Sequence, residues 1–286
     1  MQYVTLNNGL KMPQLGFGVF QITDKAICEQ AVYDAIKVGY RLFDTAAVYT
    51  NEDALGDAVR RAIREGIVKR EELFITSKLW VQDMDYESAK VGIENSLKKS
   101  GLEYFDLYLL HQAARDYFGA YRALEEAYKE GKLKAIGVSN FYPNILANFC
   151  ETVEIIPAVN QIELHPWFAQ HLALEEAKRY GVIAEAWAPL GGGRYDAYNN
   201  PILKEIADKH HKTIAQVLLR WGLQRGEVVI PKSTHLERIQ ENFDVFDFEL
   251  TEEEMNTLLS FDEGYSDKVK HFNPEFVRMI LSKKIH

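Results

Sequence analysis

Four side chains in the first half of the sequence could together move a proton: Asp44, Tyr49, Lys78 and His111. A free tyrosine has a pKa of about 10, which is too high for efficient proton donation at neutral pH. A nearby ammonium lowers that pKa, and Lys78 could supply the charge while Asp44 pairs with the lysine. His111 could donate a hydrogen bond to a substrate oxygen and orient it. These are the groups needed to protonate a carbonyl oxygen while hydride attacks its carbon.

Each of the four residues also has an ordinary structural interpretation when it is taken alone. Asp44 could cap a helix or form a plain salt bridge, and Lys78 could be a solvated surface lysine. Tyr49 could be a packing residue with a hydrogen-bonded hydroxyl, and His111 could be a core histidine. Their common position at the ends of consecutive predicted strands favours the joint interpretation.

Short apolar runs alternate with segments of helical period along the chain, which predicts βα units and a parallel sheet. The predicted strands are 15–19, 40–43, 73–76, 105–110, 135–138, 158–161, 182–187 and 228–230. The helical segments between them include 26–38, 53–64, 86–99, 118–130, 172–180 and 214–224. Eight such units without a dividing linker favour an α/β fold of the closed (β/α)₈ or TIM-barrel type, as one domain over residues 1–286.

Additional elements are expected at both ends of the barrel. The segment from Tyr3 to Met12 predicts a β-hairpin around Asn8-Gly9, with a type I′ turn that needs positive φ at both central residues. A C-terminal loop and helix extension should follow the eighth strand. The first strand ends in Gly16-Phe17-Gly18 without the third glycine of GxGxxG, which argues against a Rossmann domain.

The composition excludes several classes of function. The chain has 33 basic and 42 acidic residues, a formal charge of −9, and no basic run, so nucleic acid is not an expected partner. Cys28 and Cys150 lack a metal-ligand spacing and are interpreted as buried hydrophobes in a reducing compartment, with no metal expected. No secretory signal and no apolar run of roughly 20 residues is present, so we expect a cytoplasmic protein without membrane contact. No apolar heptad helix is visible, and a monomer is expected.

Polar residues follow the later predicted strands as well. The fifth ends at Ser139-Asn140, the sixth at Gln161, the seventh at Trp187, and the eighth at 231–233, Pro-Lys-Ser. All strands of a parallel barrel open on one face, where active sites of this fold lie. Residues far apart in sequence should therefore converge there with the first four.

Several of these segments resemble the aldo-keto reductase family. Residues 39–49 with Asn51-Glu52 are similar to its first signature, and 75–80 to its lysine strand. Residues 137–141 and 230–243 are similar to its cofactor segments. Trp187, with the glycines at 191–193 and the short loop after them, resembles the prokaryotic branch that includes diketogluconate reductases. The likeness runs from the hairpin to Phe261.

The resemblance implies an oxidoreductase that uses NADPH/NADP⁺ and a small carbonyl substrate. Tyr49 would be the general acid, assisted by Lys78 and Asp44, with His111 orienting the carbonyl. The implied cofactor residues are Ser139, Asn140 and Gln161 for the carboxamide, Trp187 for the nicotinamide ring, Leu190 and Gly191 for the pyrophosphate, Lys232, Ser233, Thr234 and Arg238 for the 2′-phosphate, and Glu241 and Asn242 for the adenine. Arg and Lys suit a phosphate, so NADPH is favoured over NADH.

The substrate side departs from the commonest family pattern. Phe20 stands where tryptophan is frequent, and His111 is followed by Gln112-Ala113 rather than Trp-Pro. Phe20, Trp80 and His111 are expected to line an aromatic pocket around Tyr49. Two aromatic segments, Phe118 and His271-Phe272, either close this pocket from the side or are only structural.

Three other functions compete with the reductase. A Schiff-base aldolase could use Lys78 as its nucleophile, but it leaves the implied cofactor residues without a role. A regulatory subunit could bind NADPH with little turnover. A purely structural barrel explains none of the polar residues at the strand ends.

Overall fold

Eight parallel strands form a barrel in the computed structural model, which describes residues 1–266, 269–271 and 273–286. They are β3 (Gly16–Gly18), β4 (Leu42–Asp44), β5 (Phe74–Leu79), β6 (Leu107–Leu110), β7 (Ile136–Ser139), β8 (Val159–Glu163), β9 (Ile183–Trp187) and β10 (Val228–Val229). Two strands that precede them, β1 (Tyr3–Thr5) and β2 (Lys11–Pro13), form a separate antiparallel pair. From β3 to β10 each strand pairs with the next, and a parallel bridge between Leu15 and Val229 joins the last to the first. The predicted (β/α)₈ barrel is confirmed.

Helices connect the barrel strands and extend beyond the last one. They are α1 (Lys25–Val38), α2 (Glu52–Arg64), α3 (Tyr86–Ser100), α4 (Tyr117–Lys129), α5 (Pro143–Cys150), α6 (His171–Arg179), α7 (Pro201–His210), α8 (Ile214–Gln224), α9 (Leu236–Phe243), α10 (Glu252–Leu259) and α11 (Pro274–Ser282). The six helical segments predicted from the sequence correspond to α1–α4, α6 and α8. The helix of the predicted C-terminal extension is present as α11.

Local sequence explains where several of these helices begin and end. The side chains of Asp24, Asp85 and Asp116 accept hydrogen bonds from the third backbone N–H beyond them and so cap α1, α3 and α4. Gly39 and Gly101 end α1 and α3 with φ values of 124° and 64°, which few other residues adopt. These caps define where α1, α3 and α4 begin and where α1 and α3 end.

The N-terminal hairpin is present, but its turn is not the predicted type I′. Only Gly9, with φ of 89°, has a positive φ in the turn, whereas a type I′ turn needs two such residues. The backbone N–H of Gly9 donates to the Leu6 carbonyl and that of Leu6 to the Leu10 carbonyl, both at 2.9 Å. This is a type I turn followed by a glycine bulge. Leu6 and Met12 pack into the apolar cluster at the closed end of the barrel.

Strand alternation places the polar residues above an apolar floor. Leu42 packs in the cluster that includes Met12, whereas Phe43 packs in the cluster between strands and helices. Because alternate residues of a strand face opposite sides, Asp44 shares the inward face with Leu42. Lys78 pairs with Leu109 on the next strand, and Leu109 belongs to the same apolar cluster as Leu42 and Met12. Both charged residues therefore project into the barrel at its open end, which we call the mouth.

The described ranges contain no helix long and apolar enough to cross a membrane and no group of three or more potential metal ligands. Cys28 and Cys150 are free and buried, as predicted. Burial raises the pKa of both thiols to about 12, so neither forms a reactive thiolate at neutral pH.

Candidate active site

A fully buried ion pair lies at the centre of the mouth. The Lys78 Nζ is 2.6 Å and 2.7 Å from the two carboxylate oxygens of Asp44, and it also donates to the Thr45 carbonyl at 2.8 Å. The two residues are 0% and 2% exposed. Burial by itself would lower the pKa of Lys78, but the Asp44 carboxylate outweighs it and the pKa is raised. The lysine is therefore a fixed ammonium.

The Tyr49 hydroxyl lies 3.5 Å from that ammonium. Burial raises the pKa of Tyr49 to about 12, and the Lys78 charge acts in the opposite direction. The ammonium thus has the predicted effect, but the predicted net lowering of the pKa is wrong, because the loss of solvent around the phenol is larger. Tyr49 is protonated at neutral pH, as a proton donor must be.

A hydrogen-bonded loop holds Tyr49 in this position. The residue ends a 3₁₀ turn (Ala47–Tyr49) that follows β4. The side-chain amide of Asn51 donates to the backbone carbonyls of Val19 at 3.0 Å and Ile22 at 3.1 Å, which ties the turn to the loop after β3. Asn51, two residues after Tyr49, therefore helps to fix the position of the turn that carries the phenol.

His111 follows β6 and packs edge-on against Tyr49 and Trp80, with ring centroids 5.6 Å and 5.3 Å apart. Burial, reinforced by the Lys78 charge, holds the pKa of His111 well below its usual range. The imidazole is therefore neutral. Its Nδ1 is buried without a hydrogen-bond partner among the described residues.

Ser139, Asn140 and Trp187 form a second polar group beside the histidine. The Asn140 amide donates to the His111 carbonyl at 3.1 Å and to the Ser139 hydroxyl at 3.0 Å. Its amide oxygen accepts from the Trp187 indole at 3.0 Å. Asn140 has a φ of 61°, a left-handed conformation that asparagine tolerates. The three predicted cofactor residues are therefore brought together.

Gln161 links this region to the ion pair, and one partner of Gln161 was missed in the sequence. The amide nitrogen donates to Asp44 at 2.8 Å and to Glu185 at 2.9 Å. Glu185 lies in the middle of β9 and is 0% exposed. The signal for it was a single carboxylate inside an otherwise apolar strand, where an ionisable residue is rare.

An open groove of about 680 Å³ is lined by residues that follow β9 and β10 in the chain and by the start of α8. Its lining contains seven of the predicted cofactor residues: Leu190, Lys232, Ser233, Thr234, Arg238, Glu241 and Asn242. Tyr198, which the sequence analysis did not identify, also lines it. Gly191 lies outside this set, in a turn with φ of 73° where an added Cβ would be 2.9 Å from the Tyr195 ring.

The predicted substrate residues are found on both sides of the Tyr49 hydroxyl. The Phe20 ring is 4.9 Å from the Tyr49 ring and is 46% exposed, whereas Trp80 contacts His111 on the other side. The Trp80 indole donates to the Lys283 carbonyl at 2.8 Å, so the C-terminal tail packs against the pocket. No pattern in the sequence indicates that contact.

The two additional aromatic segments have different outcomes. Phe118 packs against Phe149, with ring centroids 5.2 Å apart, in the apolar core, so its structural interpretation is right. His271 accepts or donates a hydrogen bond with the Tyr142 hydroxyl at 3.0 Å and lies 6.5 Å from the Trp187 ring. Phe272 lies outside the described residues.

The geometry disfavours the aldolase hypothesis. A Schiff-base lysine must be deprotonated to attack a carbonyl, and this is achieved in enzymes by lowering its pKa. Lys78 has a raised pKa and donates to Asp44, Thr45 and Tyr49. Its nitrogen lone pair is therefore not available for attack.

We expect Asp44→Asn and Lys78→Met each to lower the free energy of unfolding by about 3–5 kcal/mol, because each leaves the other group buried without its partner. The double variant should recover most of this loss, since both charges are then absent. Denaturant unfolding of all four proteins, followed by circular dichroism, measures the coupling. Losses that simply add in the double variant would show that the two charges do not stabilise each other. The exposed Lys204–Asp208 pair is the control and should contribute about 0–1 kcal/mol.

Comparisons with known proteins agree with this geometry. The chain matches the model of the Aldo/keto reductase family over residues 14–263. It is 47% identical over 256 residues to glyoxal reductase of Bacillus subtilis, covering 89% of this chain and 91% of that protein. It is 47% identical over 267 residues to 9,11-endoperoxide prostaglandin H2 reductase of Trypanosoma cruzi, covering 93% and 92%.

Solved structures give the same result. The crystal structure of Bombyx mori aldo-keto reductase in complex with NADP has a TM-score of 0.88 and 34% identity, and the match covers 92% of this chain and 94% of that one. An aldo/keto reductase from Brucella melitensis has a TM-score of 0.86 and 40% identity, with 91% and 99% covered. With its barrel and the polar residues at its mouth, the chain is an enzyme that belongs to the aldo/keto reductase family.

Proposed function

We propose that this enzyme reduces aldehyde or ketone carbonyls to alcohols with NADPH, and that Tyr49 donates the proton. The observation that carries the proposal is the contact between three groups at the mouth: the Lys78 ammonium is 3.5 Å from the Tyr49 hydroxyl and 2.6 Å from the Asp44 carboxylate. The names of the relatives, two reductases and an NADP complex, support the same reaction class.

The groove beside the mouth has the donors that NADPH requires. Lys232 and Arg238 line it, are exposed, and have no ion-pair partner in the described part of the chain. Ser233 and Thr234 add hydroxyl groups between them. Arg can engage a phosphate through two parallel hydrogen bonds, and Lys supplies a point charge. We assign the 2′-phosphate to this end of the groove, with Glu241 and Asn242 towards the adenine.

The residues nearer the mouth suit the nicotinamide. The side-chain oxygens of Ser139, Asn140 and Gln161 are acceptors for the NH₂ of its carboxamide, and the Trp187 ring is large enough to stack on the nicotinamide. Leu190 and Gly191 lie between the two ends of the site, where we place the pyrophosphate. When bound, NADPH supplies the hydride that the carbonyl carbon receives.

The protein groups at the mouth then have separate tasks. The neutral His111 donates a hydrogen bond to the carbonyl oxygen and orients it. Tyr49 transfers its hydroxyl proton to that oxygen as negative charge develops there. The Lys78 ammonium stabilises the phenolate left on Tyr49, and Asp44 holds the lysine in place. Phe20 and Trp80 exclude water from the two sides of the reacting carbonyl.

The substrate class is limited by these aromatic walls. Phe20, Trp80 and His111 offer flat apolar surfaces and one neutral hydrogen-bonding group, which suits small carbonyl compounds with an apolar or planar substituent. The narrower likeness to diketogluconate reductases stays a prediction. We further propose that residues 1–286 act as one domain, as a monomer and in the cytoplasm.

The test is the loss of nicotinamide absorbance when the purified protein is mixed with NADPH and a panel of aldehydes and ketones. We expect oxidation of NADPH that depends on the carbonyl and is slower with NADH. Tight binding of NADPH, measured by tryptophan fluorescence, without oxidation by any carbonyl would instead support the regulatory subunit. Failure to bind NADPH would overturn both functions.

A further inference from the structure

Glu185 is a buried carboxyl group for which the proposed mechanism has no role. It lies opposite Gln161 in the pairing of β8 with β9, and its Oε2 accepts from the Gln161 amide at 2.9 Å. Its other oxygen, Oε1, is buried without a hydrogen-bond partner among the described residues. The same Gln161 nitrogen donates to Asp44, the partner of Lys78. Gln161 thus connects Glu185 to the ion pair through two hydrogen bonds.

This arrangement fixes the orientation of the Gln161 amide. An amide nitrogen carries two hydrogens, and those of Gln161 are both used, one for Asp44 and one for Glu185. Turning the amide over would place its carbonyl oxygen against the Asp44 carboxylate, which has no hydrogen to donate. With only Asp44 as acceptor, the amide could rotate about the remaining hydrogen bond. Glu185 therefore determines both the direction and the plane of the Gln161 carbonyl.

We propose that Glu185 is a positioning residue, which aims the Gln161 carbonyl oxygen at the carboxamide of the bound nicotinamide and whose charge, when it is ionised, adds to the negative charge that opposes proton release from Tyr49. This inference rests on the proposed NADPH-dependent reduction. The carboxamide NH₂ of a nicotinamide needs an acceptor, and an amide held at two points provides one at low entropic cost.

The charge of Glu185 affects three groups on other elements. Asp44 on β4, Lys78 on β5 and Tyr49 in the turn after β4 are the titratable groups that interact with it, whereas the neighbouring strands contribute the uncharged Gln161 and Val228. Burial raises the pKa of Glu185 to about 8, and the Asp44 carboxylate adds to the rise. The carboxyl group consequently changes its charge within the working pH range of an enzyme.

The sign of the effect on Tyr49 follows from electrostatics. Burial is the largest cause of the raised pKa of Tyr49, and an ionised Glu185 makes a small addition to it, because a further negative charge disfavours the phenolate. A weaker acid donates its proton more slowly to the carbonyl oxygen. Reduction should therefore slow as the pH rises through about 8 and Glu185 loses its proton.

Two variants separate the two parts of the proposal. Glu185→Gln keeps the size and one acceptor oxygen for Gln161 but cannot ionise, so we expect NADPH affinity within about twofold of wild type. For wild type we expect kcat to fall roughly three- to tenfold as the pH rises through the pKa of Glu185. The kcat of Glu185→Gln should not show this fall. Glu185→Leu removes the acceptor and should weaken NADPH binding roughly fivefold, the value of one hydrogen bond.

Glu227 provides a matched control. It is also a fully buried carboxyl group, and burial raises its pKa to about 7, but it interacts with Arg225. Its backbone carbonyl accepts from Gln14, next to β2 at the closed end of the barrel. We expect Glu227→Gln to leave both the NADPH affinity and the shape of the pH profile unchanged. An equal effect of both substitutions would show that any buried carboxyl group has this influence.

A third measurement does not depend on turnover. The folded pKa of Glu185 is above its ordinary value of 4.5, so the group stabilises the fold below that pH and loses this contribution as the pH rises through about 8. The melting temperature of Glu185→Gln relative to wild type should consequently increase from acidic to alkaline pH. A constant difference would overturn the assigned titration.

The outcomes distinguish this inference from the function on which it rests. Wild-type protein that neither binds nor oxidises NADPH would overturn the proposed function. Wild-type protein that turns over, with a Glu185→Gln pH profile and a Glu185→Leu dissociation constant equal to wild type, would overturn only the role of Glu185. If the leucine variant does not fold, the pH profile of Glu185→Gln decides alone.

Discussion

Replacing Tyr49 by phenylalanine is expected to lower kcat for carbonyl reduction by about 10²–10⁴-fold, the usual contribution of a general acid. The substitution removes one oxygen atom and keeps the ring that packs against Phe20 and His111. The dissociation constant for NADPH should stay within about twofold of wild type, because the implied cofactor residues are untouched. Steady-state kinetics and a fluorescence titration with NADPH measure the two quantities separately.

Tyr142→Phe is the matched control for this experiment. Its hydroxyl lies 3.0 Å from the His271 ring nitrogen, whereas the Lys78 ammonium donates to Tyr49. We expect that variant to keep kcat within a few-fold of wild type. Wild-type turnover in the Tyr49→Phe protein would show that another group donates the proton.

Replacing Arg238 by alanine is expected to weaken NADPH binding by about 10–100-fold, because a charge-assisted hydrogen bond contributes about 1.5–3 kcal/mol. NADH lacks the 2′-phosphate, so its affinity should change by less than about twofold. The difference should shrink at high salt, since Arg238 lies at the surface of the groove and its charge is screened there. Calorimetric titrations with both cofactors at two salt concentrations measure these effects.

Arg64→Ala controls for the loss of a surface charge. Arg64 is exposed at the end of α2, and we expect its removal to alter neither affinity. Equal weakening of NADPH and NADH in the Arg238 variant would place the 2′-phosphate elsewhere. In that case Lys232, which lines the same groove, would be the next residue to replace.

The order of elements and the membership of the site could be predicted from the sequence. All eight barrel strands are found at the predicted runs, and α8 has the predicted bounds. The four residues of the proton-transfer set meet at the mouth because parallel barrel strands all open on one face. Asp44 and Lys78 lie near the ends of two consecutive strands. Because consecutive strands of this barrel are neighbours, their position in the sequence is enough to predict that the two side chains are close.

Quantities that depend on packing could not be predicted. The net pKa of Tyr49 depends on how much solvent the barrel removes, and here burial exceeds the effect of the Lys78 charge. The turn at Gly9 differs from the expected type because it must fit the register of β1 and β2. A dipeptide motif does not specify that register.

The sequence by itself determined the barrel and its hairpin, because these follow from periodicity and turn residues, and it indicated the catalytic candidates by their place after predicted strands. The residues of the cofactor groove were implied by the resemblance to the family. Only the tertiary structure revealed the role of Glu185, which depends on a hydrogen bond to Gln161 across neighbouring strands and on burial by the whole barrel. Likewise, it alone placed the carbonyl of Lys283 against the indole of Trp80. Contacts between distant segments depend on how the complete chain packs, and no local pattern encodes them.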